Sequence, residues 1–236
     1  MIRVDDVMAK LNPYLGGDSL TRGSFCKDLW DMDTMLEVVR RVGKTFETGF
    51  MVDANNVDVY ESLVYWMMND PRMTAIDPKD GRTHVRGRLE KGIFLCGTTG
   101  TGKSLAMKVL GELYRLNNFS IGKNALRWKE VRADTMCDEF AKSGDLAEYK
   151  KTPLLCIQDL GSEPQETIHM GNRIQVCRSV IESRGDEKDL VTMVTSNFRL
   201  GGRALVEMYG DRVVSRLTEM CNLLILTGED RRKTTK

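Results

Sequence analysis

Eight residues, "GTTGTGKS" at 97–104, have the spacing G-x-x-x-x-G-K-[ST]. They follow the apolar run "GIFLCG" and open a helical stretch, the context in which such a loop cradles phosphate. Gly97, Gly100 and Gly102 let the backbone curl so that its N–H groups converge on phosphate oxygens. The N-terminus of the following helix adds the positive end of its dipole. Lys103 supplies a point charge for the β- and γ-phosphates, and the Ser104 hydroxyl can ligate Mg²⁺. Thr98, Thr99, Thr101 and Leu105 complete the segment expected to wrap the phosphates. The chemistry this implies is binding of a nucleotide such as ATP.

A second stretch, "TPLLCIQDLGSEP" at 152–164, has four apolar residues running into Gln158 and Asp159. In a magnesium-dependent NTPase a metal-holding carboxylate is expected there, at the end of the strand beside the P-loop strand. A second acid then orients the attacking water. Here Gln158 takes the first position and Asp159 the second. A glutamine carbonyl can face Mg²⁺ or one of its waters, since hard cations accept neutral oxygens, but it brings no negative charge. Three readings stay open. Asp159 orients water while Ser104, Gln158 and phosphate oxygens place the metal; or the strand is shifted and Asp159 holds the metal; or nucleotide is bound as an assembly switch and hardly hydrolysed. Two weaker features follow along the chain. "LVTMVTSNFR" ends an apolar strand on Asn197, which could reach a γ-phosphate or the attacking water, although asparagine after a strand is often a turn former. "YGDRVVSRLTEM" carries Arg212 and Arg216 four residues apart, on one helical face.

The elements that must position these residues alternate. "GIFLCG" (92–97), "ALRWKEVRA" (125–133), "LLCIQD" (154–159), "LVTMVTS" (190–196) and "LLILTG" (223–228) are five candidate strands. Helical stretches fall between them, at about 103–116, from an Asp134 cap onward, at 170–184 and at 203–221. Nearly continuous apolar strands alternating with helices predict a parallel sheet covered on both faces. Before it lie short amphipathic helices, "VDDVMAKL", "DMDTMLEVVRRV" and "NVDVYESLVYWMM", the last with Asn56 as its expected N-cap. Residues 69–92, polar with Pro and Gly, are expected to form a loop. The expected division is a helical N-terminal region, 1–54, and an α/β nucleotide-binding domain, 55–236.

Composition bounds the remainder. With 236 residues, 41% hydrophobic and 29% charged, the chain suits one α/β domain plus a small appendage. A net charge of +1 argues against a surface built wholly for duplex DNA, though not against a local basic strip. The six cysteines contain no C-x2-C pair, so a zinc site is not expected and a reducing cytoplasm is. No run reaches the roughly 18 apolar residues of a membrane span, so no membrane partner is expected.

Together, "GIFLCGTTGTGKS", "PLLCIQDLGSEP", "VTSNF" and "YGDRVVSRLTEMCNLLILTGEDRR" resemble the AAA+ ATPases of the DnaC/IstB group, the replicative-helicase loaders and transposase-helper ATPases. The resemblance covers roughly residues 55–232. It implies a five-stranded parallel AAA+ core, with Mg²⁺ and ATP as cofactors and ATP hydrolysis as the activity. It makes Asn197 the sensor-1 residue and Arg216 an arginine finger for a neighbouring subunit, with Arg212 as runner-up and Arg184 as a further interface candidate. That role needs a homo-oligomer. The partners implied are a replicative helicase or a transposase, with single-stranded DNA a further candidate. A helicase loader is the leading expectation, beside a transposition helper and a non-hydrolysing adaptor. Eight residues follow Gly228, so no C-terminal helical lid is expected. The adenine is left to be covered by the segment before the P-loop.

Overall fold

The structure, a computed structural model, describes residues 31–116, 120–121, 124–125 and 128–231. The helix expected at "VDDVMAKL" and the tail beyond residue 231 lie outside them. In chain order the elements begin with two helices, α1 (Met32–Phe46) and α2 (Val57–Met67), and an edge hairpin, β1 (Thr74–Ile76) and β2 (His84–Arg86). The P-loop unit follows as β3 (Gly92–Gly97) and α3 (Lys103–Leu116). Next come β4 (Ser120–Ile121), β5 (Asn124–Ala125), β6 (Trp128–Arg132), α4 (Ala133–Ser143), α5 (Ala147–Lys151) and β7 (Leu154–Leu160). A hairpin of β8 (Thr167–His169) and β9 (Asn172–Ile174) precedes α6 (Val176–Gly185) and β10 (Val191–Ser196). The last elements are α7 (Arg203–Tyr209), α8 (Asp211–Met220) and β11 (Cys221–Leu226).

The five expected strands are present and parallel, in the spatial order β11-β3-β10-β7-β6. β10 separates β7 from the P-loop strand, so "QD" does not end the strand adjacent to β3 as the sequence suggested. The order is set by crossovers that no local pattern records. A further difference is the hairpin β1–β2, which extends the sheet to seven strands by antiparallel pairing of Ile76 with Leu223. It occupies the segment expected to be loop. Its strands are three residues long and β2 is exposed along its whole length, too short for an alternating pattern to show.

Side chains alternate across each central strand. On β7, Leu154 and Cys156 enter a core with α1, α2 and α3, whereas Leu155 and Ile157 enter one with α4, α6, α7 and α8. α1 is capped by Asp31, whose Oδ1 accepts the Thr34 N–H at 2.8 Å. Its Met35, Leu36, Val38, Val39 and Val42 are buried in the same core as Tyr60, Leu63, Val64 and Met67 of α2. Asn56 precedes α2 without capping it through its side chain. Its Oδ1 accepts from Asp53 N–H and its Nδ2 donates to the Met51 carbonyl. Asp134 is likewise inside α4, bonded to Arg132 and its neighbour Thr135, with Arg132 at the cap position. Among the described residues no helix is long and apolar enough to cross a membrane.

Candidate functional site

The P-loop lies where β3 hands over to α3, at the C-terminal edge of the sheet. Gly100 (φ +82°) and Gly102 (φ +95°) take the left-handed conformation that the turn requires and that side chains resist. Thr101 is buried and its hydroxyl donates to the Thr98 carbonyl at 2.9 Å, which ties the loop across itself. Thr98 and Thr99 stay exposed, and Ser104 and Leu105 fall in the first turn of α3. Lys103 is buried, and its Nζ donates to the Gly97 carbonyl (2.9 Å), the Thr98 carbonyl (2.8 Å) and Asn197 Oδ1 (2.8 Å). The last contact joins two residues 94 positions apart: the strand tip of β10 meets the P-loop lysine.

Gln158 and Asp159 sit on a β-bulge. Ile157 pairs with Val194 and Leu160 with Ser196, so Gln158 and Asp159 together oppose Thr195. Asp159 has φ +56°, and its N–H donates to Thr195 Oγ1 at 2.9 Å. The Ser196 hydroxyl donates to the Leu160 carbonyl at 2.6 Å and closes the bulge. Gln158 follows Cys156 by two, on the face covered by α3, and is buried with its Nε2 unpartnered among the described residues. Asp159 instead accepts from Arg132 Nη1 at 2.8 Å, on the side of β6 and away from β3. The loop beyond is anchored by buried Glu163, which accepts from Gly161 N–H at 2.8 Å and from the Tyr209 hydroxyl. Thus the "DLGSEP" and "YGDR" segments are in direct contact.

A cavity of about 270 Å³ opens beside the P-loop between Thr101, Gly102 and Leu105 on one side and Phe50, Met51 and Tyr60 on the other. Phe50 and Tyr60 meet edge to face at 5.6 Å. Gly43 makes this possible, because a Cβ there would lie 2.2 Å from the Phe50 ring. Arg231 completes the wall, donating through its backbone N–H to the Gly100 carbonyl (3.0 Å) and through Nη2 to Asp53 Oδ1 (2.9 Å). Of these lining residues Tyr60 belongs to the apolar stripe that "NVDVYESLVYWMM" presents at helical spacing, whereas Phe50 and Met51 carry no such mark in the sequence. A larger cavity, about 690 Å³, lies at the opposite end of the strands, against Lys150, Ser183 and Leu190, and contains none of the expected site residues.

The arginines of α8 are not at this P-loop. Arg216 pairs with Asp186 Oδ1 at 2.5 Å and with Glu219 Oε2 at 3.4 Å, against the C-terminal end of α6. Arg212 is more exposed, 3.8 Å from Glu182. Arg184, a candidate for a subunit surface, is fully buried instead. Its guanidinium donates to the carbonyls of Tyr149, Thr152 and Val191 and to Thr192 Oγ1.

No family model and no curated protein matches the chain. Solved structures do. A DNA replication initiation factor is similar over 79% of this chain and 51% of its own, with 19% identity and a TM-score of 0.50. The DnaC helicase loader is similar over 77% of this chain and 95% of its own, with 18% identity and a TM-score of 0.48. AMPPCP-bound DnaA from Aquifex aeolicus is similar over 78% and 50%, with 19% identity and a TM-score of 0.47. At 19% identity the likeness to the replication initiation factor shows the fold alone, an α/β core built on a mostly parallel seven-stranded sheet.

Proposed function

We propose that this chain binds ATP with Mg²⁺ at residues 97–105 and acts in DNA replication as an oligomeric loader of a replicative helicase. The observation that carries the nucleotide reading is the 2.8 Å contact between Lys103 Nζ and Asn197 Oδ1, beside a cavity of a size suited to a base. In this reading the P-loop N–H groups and Lys103 take the phosphates, and Phe50, Met51 and Tyr60 enclose the adenine. Ser104 and Gln158 fit Mg²⁺ as neutral oxygen donors, one in the first turn of α3 and the other on the face that α3 covers. When bound, the ion would neutralise phosphate charge. Asp159 would orient the attacking water once released from Arg132, and Asn197 would sense the γ-phosphate. Arg216, engaged against α6, would serve the nucleotide of a second copy. The cytoplasmic setting and a single-stranded DNA contact belong to the same proposal. Exposed Lys79, Arg82 and Arg86 on the β1–β2 hairpin supply cations for the DNA contact, and stimulation of turnover by single-stranded DNA is its test.

One observation favours a second reading, a nucleotide-gated adaptor that hardly hydrolyses. Gln158 is neutral, and the nearby acid is already paired with Arg132. Turnover at a protein concentration high enough for assembly separates the two. For the active reading, Gln158→Asp should raise turnover, and Asp159→Asn should lower it by about 10²-fold. Wild-type turnover equal to the Lys103→Ala background, with ATP binding intact, would establish the adaptor. In the same assay Arg216→Ala should lose on the order of 10³-fold in rate while keeping its affinity for ATP. Mixing it with Lys103→Ala subunits should restore part of the rate; absence of rescue would rule out action between copies.

In the same proposal the helical N-terminal region, residues 1–54, docks the partner helicase, and this role has its own test. Deleting residues 1–30 should abolish co-purification with a replicative helicase and leave ATP binding unchanged. Retention of the helicase by the truncated chain would count against that role. The cut belongs before α1, because the five buried side chains of α1 each contribute roughly 1.5–3 kcal/mol to the core.

A further inference from the structure

Arg231 has no part in the chemistry above, yet it ties together segments far apart in the chain. Its backbone N–H donates to the Gly100 carbonyl at 3.0 Å. Its side chain then passes over the P-loop, close enough that a Cβ on Gly102 would lie 3.8 Å from its Cδ. Its guanidinium reaches Asp53 Oδ1 at 2.9 Å through Nη2 and the Met51 carbonyl at 3.4 Å through Nη1. The same short segment is held from its other side by Asn56, through Asp53 N–H and the Met51 carbonyl. The hydrogen bond from Arg231 is the foremost cause that lowers the Asp53 pKa, so the pair is charged on both sides.

We infer that Arg231 is a positioning residue for the base of the bound nucleotide, with Asp53 as the other half of a clasp. The clasp holds residues 51–53 against the P-loop and so shapes the wall that Met51 and Phe50 present to the cavity. A planar, forked guanidinium suits this task, since one side chain can engage a carboxylate and a carbonyl together. The inference rests on the nucleotide-binding reading and adds a division of labour to it. The side chain of Arg231 acts on the base pocket, whereas the phosphate cradle is made by backbone N–H groups and Lys103.

Calorimetric titration of the full chain with ATP and, separately, with inorganic triphosphate tests this division. Arg231→Ala and Asp53→Ala should each raise the Kd for ATP about tenfold, in line with the loss of one charge-assisted contact, and leave the Kd for triphosphate unchanged. The exchanged pair Asp53→Arg with Arg231→Asp should recover most of the ATP affinity. The unliganded melting temperature should stay close to that of the wild type, because the pair is only half-buried and such a surface ion pair contributes little to stability. Equal losses for ATP and triphosphate would overturn the inference, as would unchanged ATP affinity in both single variants or failure of the exchange to recover it. A wild-type chain that binds neither ligand would instead sink the nucleotide reading itself.

Discussion

The Lys103→Ala variant is expected to bind ATP about 10²-fold more weakly than the wild type and to turn it over no faster than buffer. Lys103 is buried, and its ammonium is held by two loop carbonyls and Asn197 Oδ1. It is therefore already placed at the mouth of the P-loop, and an arriving phosphate takes over one or two of the three donors now given to protein oxygens. Hydrogen bonds from a charged donor are each worth about 1.5–3 kcal/mol. At about 1.4 kcal/mol per tenfold, one or two of them give the stated loss. The same substitution strips a donor from three oxygens, so some loss of stability must accompany the loss of binding. Asn197→Ala separates these effects. It removes one acceptor, keeps the charge, and should lower turnover more than affinity. Because the two side chains are in contact, the double variant should depart from additivity by 0.5–3 kcal/mol. Unchanged ATP affinity in Lys103→Ala, measured by calorimetry, would remove the P-loop from the proposed function.

The turn at 97–104 could be read from the sequence because its signals are local. The glycines, the lysine and the helix start all lie within eight residues, and the conformation they need is written in their types. The five parallel strands were legible for a similar reason, since burial on both faces leaves an apolar run. What could not be read depends on distant partners. Asp159 takes a positive φ although it is not glycine. The cause is a bulge closed by Thr195 and Ser196 of another strand. The cavity beside the P-loop joins Phe50 and Tyr60 to Arg231, which lies far from both along the chain. The contact between Glu163 and Tyr209 gives a physical reason for two motifs that the sequence could only set side by side: one supplies the buried acceptor and the other its donor.

Arg184 is the sharpest case of a residue whose setting the sequence hides, and Arg184→Ala is expected to destabilise the fold by about 3–5 kcal/mol. At the end of "SVIESR" it resembles any basic residue near a helix C-terminus, which is ordinarily solvated. In the structure it is fully buried, and its hydrogen bonds go to three backbone carbonyls and a threonine hydroxyl. Those carbonyls belong to the end of α5, the turn before β7 and the start of β10, so a single side chain joins three segments at the lower edge of the sheet. Alanine would leave four acceptors to share whatever water enters the space vacated, and each acceptor left unpaired costs about 1–3 kcal/mol. Relief of the buried charge offsets part of this. Burial draws the Arg184 pKa down from the ordinary guanidinium range to about 10, so the charged form is held at some cost. The sign of the pH effect follows from that direction. Above about pH 10 and below the ordinary guanidinium pKa the unfolded chain binds more protons, so this group would make stability rise with pH only there. At pH 6–8 the arginine is protonated in both states and contributes no slope, which makes neutral pH the place to measure. For a domain of this size each kcal/mol shifts the melting temperature by about 2–4 °C, so a fall of roughly 6–20 °C is expected. Arg184→Lys, able to reach some of the carbonyls, should fall between the two. A shift of under 2 °C for Arg184→Ala would mean that these carbonyls find other partners and that the arginine does not hold the segments together.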